Sequence, residues 1–262
     1  MKQFKNVILE KKDGIAWVTI NRPERLNATD LNTRKELAEA LEDCEQDESV
    51  RVVVIQGAGD KAFCAGADLK EFYEIRDPLM ARECIKWGQN YRNIIARMEK
   101  PVIAAVKGYA LAGGFETALV CDITIASEDA KFSLPEINVG LFPAGGGTQR
   151  LIYNIGLKRA KELLFTGEMI DAQTALKLGI VNKVVPREKF DDEVKAFAEK
   201  LKEKPAKILG LLKYVVNKPF EDLIASGMET EMNLFALCFA TEDKEEGIKA
   251  FLEKRRPKFK GK

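Results

Sequence analysis

Two segments of the sequence join small backbone residues to an acidic side chain. One reads Phe63-Cys-Ala-Gly-Ala-Asp-Leu69, and the other runs from Gly108 to Glu116 as Gly-Tyr-Ala-Leu-Ala-Gly-Gly-Phe-Glu. Each follows an apolar, strand-like run and precedes a helical stretch. Backbone N–H groups that are left bare at the start of a helix bind anions or a developing oxyanion. An oxyanion site is therefore one interpretation of both segments, and a plain tight turn is the other.

Two later segments carry the same kinds of residue. Phe132-Ser-Leu-Pro-Glu136 ends in a carboxyl group held after a proline, and Phe142-Pro-Ala-Gly-Gly-Gly-Thr148 starts another helix. Taken alone, Glu136 is typical of a surface acid. Its interpretation therefore depends on what the neighbouring segments do.

The chain contains no histidine among its 262 residues. This excludes serine–histidine and cysteine–histidine nucleophiles and leaves carboxyl groups as the candidates for acid–base work near neutral pH. The cysteines form no C-x-x-C pair, so we expect no zinc site and no disulfide framework. An odd number of well-separated thiols favours a reducing compartment and predicts a cytoplasmic protein. The five are Cys44, Cys64, Cys84, Cys121 and Cys238.

Charge and hydropathy narrow the range of partners. The 42 Lys and Arg residues against 41 Asp and Glu give a formal charge of +1, so no overall field attracts nucleic acid or acidic lipid. The basic cluster from Lys254 to Lys262 is interpreted as a solvated tail, with RNA binding as the alternative. We see no export signal and no apolar run of membrane-spanning length, and we expect no membrane partner.

The surrounding patterns predict an α/β fold. Short β-rich runs alternate with helical sequence, including a helix capped by Asp30 or Asn32 and a longer helix from Leu79 to Met98. The predicted strands are Ile15 to Ile20, Val52 to Gln56, Val102 to Val106 and Ile123 to Ala126. The last quarter is predicted to be helical throughout, over Glu188 to Glu203, Pro205 to Asn217, Phe220 to Ala240 and Glu242 to Lys254.

Residues Gly57 to Ala62 match G-x-G-x-x-A, a loose dinucleotide fingerprint. A true fingerprint opens directly into a helix and places an acid about 20 residues on, at the end of a strand. Here KAFCAGAD intervenes, and Asp77 precedes a proline inside helical sequence. We therefore interpret the segment as a turn.

Together the four segments resemble the signature of the crotonase superfamily. NRPERLNA at 21–28, CDITIA at 121–126 and GTQRL at 147–151 resemble it too, so the likeness covers nearly the whole chain. The resemblance implies an α/β spiral of β-β-α turns over residues 1–190 and a C-terminal helical trimerisation region over 191–262. It also implies a homotrimer, often paired into a hexamer as a dimer of trimers.

The resemblance further implies enoyl-CoA hydratase activity, the reversible syn addition of water to a trans-2-enoyl-CoA to give 3-hydroxyacyl-CoA. The backbone N–H groups of Ala67 and Gly113 correspond to the oxyanion hole that holds the thioester enolate. Glu116 and Glu136 correspond to the two carboxyl groups that hold the water and move its proton. Because sister enzymes commonly lack one of these acids, an enoyl-CoA isomerase or another enolate-forming relative is the alternative. A non-catalytic CoA- or RNA-binding module is a more distant one.

The substrate's CoA moiety has its own matching positions, and CoA is expected as part of the substrate rather than as a cofactor. No metal is expected. Residues that match the pantetheine- and adenine-lining stretches are Arg25, Leu26, Ala65, Asp68 and Leu69. Lys61 and Lys70 match positions near the phosphates, and Lys254 matches a position that reaches CoA across a subunit boundary.

The chain departs from the family pattern at three positions. Ala112 replaces a glycine of the run before Glu116, and Phe115 stands where a small residue or cysteine is common, so we expect an altered acyl pocket. Ala144 replaces the glycine whose N–H binds the water and keeps that N–H. The acyl end is expected within residues 71–93, with Phe72, Tyr73, Trp87 and Tyr91 as candidate lining residues or plain core. The acyl shape is not specified by these patterns.

Overall fold

The computed structural model describes residues 4–262 and contains two sheets in that range. The larger has the strand order β1 (Val7–Lys12), β2 (Ile15–Ile20), β3 (Val52–Gly57), β5 (Val102–Val106), β7 (Ile123–Ser127) and β10 (Lys183–Val185). Its neighbours are parallel except for β1 and β2. The smaller has the order β4 (Ala62–Cys64), β6 (Tyr109–Leu111), β8 (Lys131–Ser133) and β9 (Ile170–Asp171). The four predicted strands are confirmed to within one residue.

Helices connect the two sheets. They are α1 (Leu31–Gln46), α2 (Leu69–Glu74), α3 (Pro78–Arg97), α4 (Gly113–Val120), α5 (Gly147–Ile155), α6 (Leu157–Thr166), α7 (Ala172–Lys177), α8 (Phe190–Lys202), α9 (Ala206–Cys238) and α10 (Glu242–Leu252). Strands β3, β5 and β7 are each followed by a strand of the smaller sheet. Helices return the chain to the larger sheet after β4 and β6, and the path after β8 also includes β9. This repetition is the predicted spiral of β-β-α turns.

The larger sheet is covered on both faces. Successive residues of a strand point to opposite faces, so an uninterrupted apolar strand needs cover on each side. Val53 and Ile55 of β3 belong to the main core, while Val52 and Val54 pack with Phe190 and other residues of α8. Helix α8 thus packs on the sheet although it starts at the expected domain boundary. The division into residues 1–190 and 191–262 stays a prediction.

Local signals explain the turns that carry the site. Asp30, rather than Asn32, caps α1, because its Oδ1 accepts the N–H of Thr33 at 2.8 Å. The segment between Gly57 and Ala62 connects β3 to β4, which confirms a turn in place of a dinucleotide loop.

The prediction of two helices, from Pro205 to Asn217 and from Phe220 to Ala240, is wrong, because the structure has one helix there, α9. It runs without interruption from Ala206 to Cys238 and contains Pro219. Proline removes one helical hydrogen bond but has a φ that a helix tolerates. The turn after it is held by tertiary contacts: Phe220 packs on Tyr153 with ring centroids 4.7 Å apart, and Glu221 accepts from Arg150 at 2.6 Å.

The basic tail is exposed, yet it is anchored to α10 rather than freely solvated. Asp243 accepts the N–H groups of Lys260 and Gly261 at 2.6 and 2.8 Å, and Arg255 pairs with Glu246 at 2.5 Å. The acidic start of α10 therefore neutralises part of the tail. Among residues 4–262, no helix is long and apolar enough to cross a membrane.

Candidate active site

A mostly apolar cavity of about 360 Å³ brings the predicted catalytic residues together. Its walls come from the turns before α2 and α4, from α3, from the 3₁₀ turn Pro135–Val139 and from α9 and α10. Predicted residues on its lining are Leu26, Ala65, Ala67, Leu69, Gly113, Glu116, Glu136 and Ala144. Four segments far apart in sequence thus meet at one site.

Two backbone N–H groups are available where the oxyanion hole is predicted. A parallel bridge joins Thr29 to Ala67 through the carbonyl of Gly66 and the N–H of Asp68, so the N–H of Ala67 takes no part in it. Gly113 begins α4, where an N–H has no acceptor within the helix. Gly66 adopts φ +95°, and a Cβ there would lie 3.2 Å from the nitrogen of Gly113. The two turns therefore approach closely only because residue 66 is glycine.

Glu116 is buried on the first turn of α4. Its Oε1 accepts the N–H groups of Gly145 and Gly147 at 2.6 and 2.9 Å. Its Oε2 lies 3.6 Å from the guanidinium of Arg92. A Cβ on Gly145 would overlap Glu116 Oε2, which explains a glycine at this point of the loop. Hydrogen bonds and a cation both stabilise a carboxylate.

Glu136 lies in a contrasting environment on the 3₁₀ turn Pro135–Val139. Its Oε2 is buried and has no hydrogen-bond partner within the described structure. Burial, followed by the nearby charge of Glu116, raises the pKa of Glu136 well above its ordinary value. This surrounding favours the protonated, uncharged form of the carboxyl group.

Arg92 is a cation of the site that sequence patterns did not identify. Its guanidinium lines the cavity and is buried, and it donates to the carbonyl groups of Gly88 at 2.9 Å and Gly113 at 2.5 Å. It therefore ties α3 to the start of α4 beside Glu116. No motif marked it, because an arginine within a helix normally indicates a solvated face.

Glu231 is a second buried residue that the patterns missed. It lies on α9, and its carboxylate accepts the N–H groups of Gly146 at 2.7 Å and Thr148 at 3.1 Å, together with the Thr148 hydroxyl. Burial, with the neighbouring Glu116 charge, raises the pKa of Glu231 to about 8. Its nearest partners are about eighty residues away in sequence, so no local spacing revealed it.

The predicted CoA positions divide into two groups. Leu26, Ala65 and Leu69 line the cavity, as described above. Outside its lining are Arg25, Lys61, Asp68, Lys70 and Lys254. Asp68 caps α2 by accepting the N–H of Lys70 at 3.2 Å and lies 3.3 Å from Arg22, so its side chain has a structural task.

The expected effect of Phe115 on the acyl pocket is not borne out, and the four aromatic candidates divide between the cavity lining and other positions. Phe115 is in the core against Phe132, with ring centroids 5.4 Å apart, and does not line the cavity. Of the four aromatic candidates only Phe72 lines it: the Tyr91 hydroxyl bonds Thr117, and Trp87 lies under Lys35. Tyr73 is also outside the lining. Helix α3 presents a different face to the cavity from the one that carries Trp87 and Tyr91. The residues on this cavity-lining face are Cys84, Ile85, Gly88 and Arg92.

This geometry brings two carboxyl groups and two available backbone N–H donors to one cavity. Comparisons with known proteins agree. The family model described as Enoyl-CoA hydratase/isomerase matches residues 10–262. The crotonyl-CoA hydratase of Syntrophomonas wolfei subsp. wolfei is 43% identical over 256 residues, covering 98% of each chain. The short-chain-enoyl-CoA hydratase of Clostridium acetobutylicum is 41% identical over 254 residues, covering 97% of each.

A solved structure gives the same answer for the fold. The crystal structure of an enoyl-CoA hydratase from Mycobacterium avium subsp. paratuberculosis K-10 superposes with a TM-score of 0.90 at 30% identity, covering 98% of this chain and 100% of that one. The chain belongs to the enoyl-CoA hydratase/isomerase family, within the crotonase superfamily.

Proposed function

We propose that this chain is an enoyl-CoA hydratase that adds water reversibly to a short trans-2-enoyl-CoA. The observation that carries the proposal is the unequal pair Glu116 and Glu136. At one cavity, the first receives two backbone N–H groups and the second keeps a buried oxygen without a hydrogen-bond partner. Two carboxyl groups in different states supply a base and an acid without imidazole.

The N–H groups of Ala67 and Gly113 bind the thioester oxygen. Negative charge grows on that oxygen as the enolate forms, and losing one preorganised donor typically costs about 2.7 to 4 kcal/mol. The positive end of α4, which begins at Gly113, adds to this stabilisation.

Glu116 takes a proton from water as the water oxygen bonds to the β-carbon. The electrons of the double bond move through the α-carbon to the thioester oxygen. Glu136 then gives its proton to the α-carbon, and the thioester carbonyl is restored. The N–H of Ala144, on the same cavity wall, helps to hold the water. Both acids act from one side of the substrate, which gives syn addition; dehydration reverses the steps.

The CoA part of the substrate enters past Leu26, Ala65 and Leu69. The exposed residues Lys61, before β4, and Lys70, in the first turn of α2, supply cations for its phosphates. Arg25, on the 3₁₀ turn before Leu26, is a further proposed contact, and Asp68 contributes by capping α2. CoA arrives with the substrate, and we assign no separate cofactor.

We further propose that the chain forms a homotrimer, alone or as a dimer of trimers. Helix α9 exposes many large apolar side chains, which a monomer would leave in water. They include Ile208, Leu211, Leu212, Val215, Val216, Leu223 and Leu237. Lys254 would then meet CoA bound to a neighbouring subunit. Light scattering tests the assembly: a mass of one chain would contradict it.

The activity is tested with crotonyl-CoA by following the loss of ultraviolet absorbance from the conjugated enoyl thioester. We expect rapid loss with the wild-type enzyme and very slow loss with Glu136→Gln. Glu10→Gln, an exposed acid on the edge strand β1 that does not line the cavity, is the matched control. No loss with crotonyl-CoA or with longer, branched and cyclic enoyl-CoA esters would contradict hydratase function, and double-bond migration without hydration would identify an isomerase.

A further inference from the structure

Four consecutive N–H groups where the chain enters α5, a stretch called here the 145–148 loop, alternate between two buried carboxyl groups. Gly145 and Gly147 donate to Glu116 at 2.6 and 2.9 Å. Gly146 and Thr148 donate to Glu231 at 2.7 and 3.1 Å. The loop is therefore held from both sides, by α4 and by α9.

The alternation links the two carboxylates mechanically. Without Glu231, the N–H groups of Gly146 and Thr148 would be buried without acceptors, which is costly unless the loop moves. Any such movement also displaces the N–H groups of Gly145 and Gly147, because they belong to the same four-residue stretch. Glu116 would then lose the two donors that fix its Oε1.

Glu231 does not line the cavity, so it does not reach a bound substrate. Glu231 is only 4% exposed, and helix α9, which carries it, packs along α3. Helix α9 therefore has a structural role inside its own subunit, in addition to the proposed role of its exposed apolar face in assembly.

We propose that Glu231 is a positioning residue, which holds the 145–148 loop so that Glu116 is correctly oriented toward the water. The inference rests on the proposed hydratase function. Under this proposal, helix α9 supports catalysis at the active site of its own chain.

The test compares Glu231→Ala and the nearly isosteric Glu231→Gln with Glu229→Gln, an exposed acid two residues away on the same helix. We expect kcat for crotonyl-CoA to fall at least about tenfold in Glu231→Ala, since a misplacement of about 1 Å can cost on the order of 100-fold. Glu231→Gln should fall less, because its one remaining acceptor oxygen can serve Gly146. Glu229→Gln should match the wild type.

A second measurement separates positioning from a general loss of folded enzyme. Butyryl-CoA, a saturated thioester that cannot be hydrated, should bind every variant with wild-type stoichiometry and a Kd changed by less than about twofold. Lowered kcat with unchanged thioester binding supports positioning. Wild-type kcat in folded Glu231→Gln and Glu231→Ala overturns it, and so does a kcat loss that only matches a loss of butyryl-CoA sites.

The failure of this inference differs from failure of the proposed function. If Glu116→Gln abolishes hydration while both Glu231 variants are normal, only the positioning role is wrong. If Glu116→Gln hydrates normally, the hydratase mechanism itself is wrong.

Discussion

The two walls that present Glu116 and Glu136 to the cavity are built in opposite ways. Glu116 lies on a helix, accepts two N–H groups and has a guanidinium at 3.6 Å. Glu136 lies on a 3₁₀ turn, and its buried Oε2 has no partner in the described structure. Under the proposed mechanism, surroundings rather than residue type assign the two roles: hydrogen-bond donors accompany the base on one wall, and their absence accompanies the acid on the other.

The largest expected effect comes from removing the base. Glu116→Gln should lower kcat by about 10³-fold or more, within reach of what positioned acid–base groups contribute. Its amide cannot accept the water proton, and its NH₂ group would face donors. Steady-state hydration of crotonyl-CoA measures this loss. A kcat within tenfold of the wild-type value would show that Glu116 is not the base.

The oxyanion turn should give the next effect. In Gly66→Ala, the new Cβ would lie 2.6 Å from that of Ala112 and strain a residue at φ +95°. The N–H groups of Ala67 and Gly113 would separate, so kcat should fall on the order of 100-fold. Gly179→Ala is the control, because Gly179 also has a positive φ but no neighbour within 4 Å of the added atom. Equal losses in both variants would indicate backbone strain alone.

The proton on Glu136 should be visible in pH dependence. Because burial raises the pKa of Glu136, the folded state binds more protons than the unfolded state above the ordinary pKa. Stability should therefore decline as pH rises from that value through the raised pKa. Thermal melts of Glu136→Gln should show a smaller decline than those of the wild type, and parallel declines would indicate an ionised Glu136. Hydration kcat/KM of the wild type should fall over the same pH range, in which Glu136 loses its proton.

Arg92 offers the smallest and most specific test. Its charge lowers the pKa of Glu136, opposing the effects of burial and Glu116. Arg92→Met should therefore move the descending limb of kcat/KM to higher pH. Arg97→Met, at an exposed position of the same helix, should leave the limb in place. A downward shift would show that Arg92 acts mainly through packing.

Much of the fold was predictable because its signals are local. Apolar runs identified β2, β3, β5 and β7, and Asp30 was identified as a cap. Helix α9 was divided wrongly at Pro219, because contacts with Tyr153 and Arg150, distant in sequence, hold the helix through the proline.

The site shows the same limit. Segments with glycine and acid at recognisable spacings led to Ala67, Gly113, Glu116 and Glu136, which the fold brings to one cavity. Arg92 and Glu231 were missed because their contacts with the site form only when α3 and α9 pack against other elements. Phe115 was misjudged because adjacency in sequence on a helix does not imply a shared face.

The absence of histidine has a consequence for how this enzyme exchanges protons with solvent. Burial raises the pKa of the Cys64 and Cys84 thiols to about 11 and that of Cys44 to about 12. Burial also lowers the pKa of Lys244 to about 8. These thiols therefore do not titrate near neutrality, whereas Lys244 and Glu231, each with a pKa of about 8, are interior groups that do. Calorimetry of acyl-CoA binding in buffers with different ionisation enthalpies would therefore count protons that move at the buried carboxyl groups and at Lys244, with no imidazole contribution from the protein.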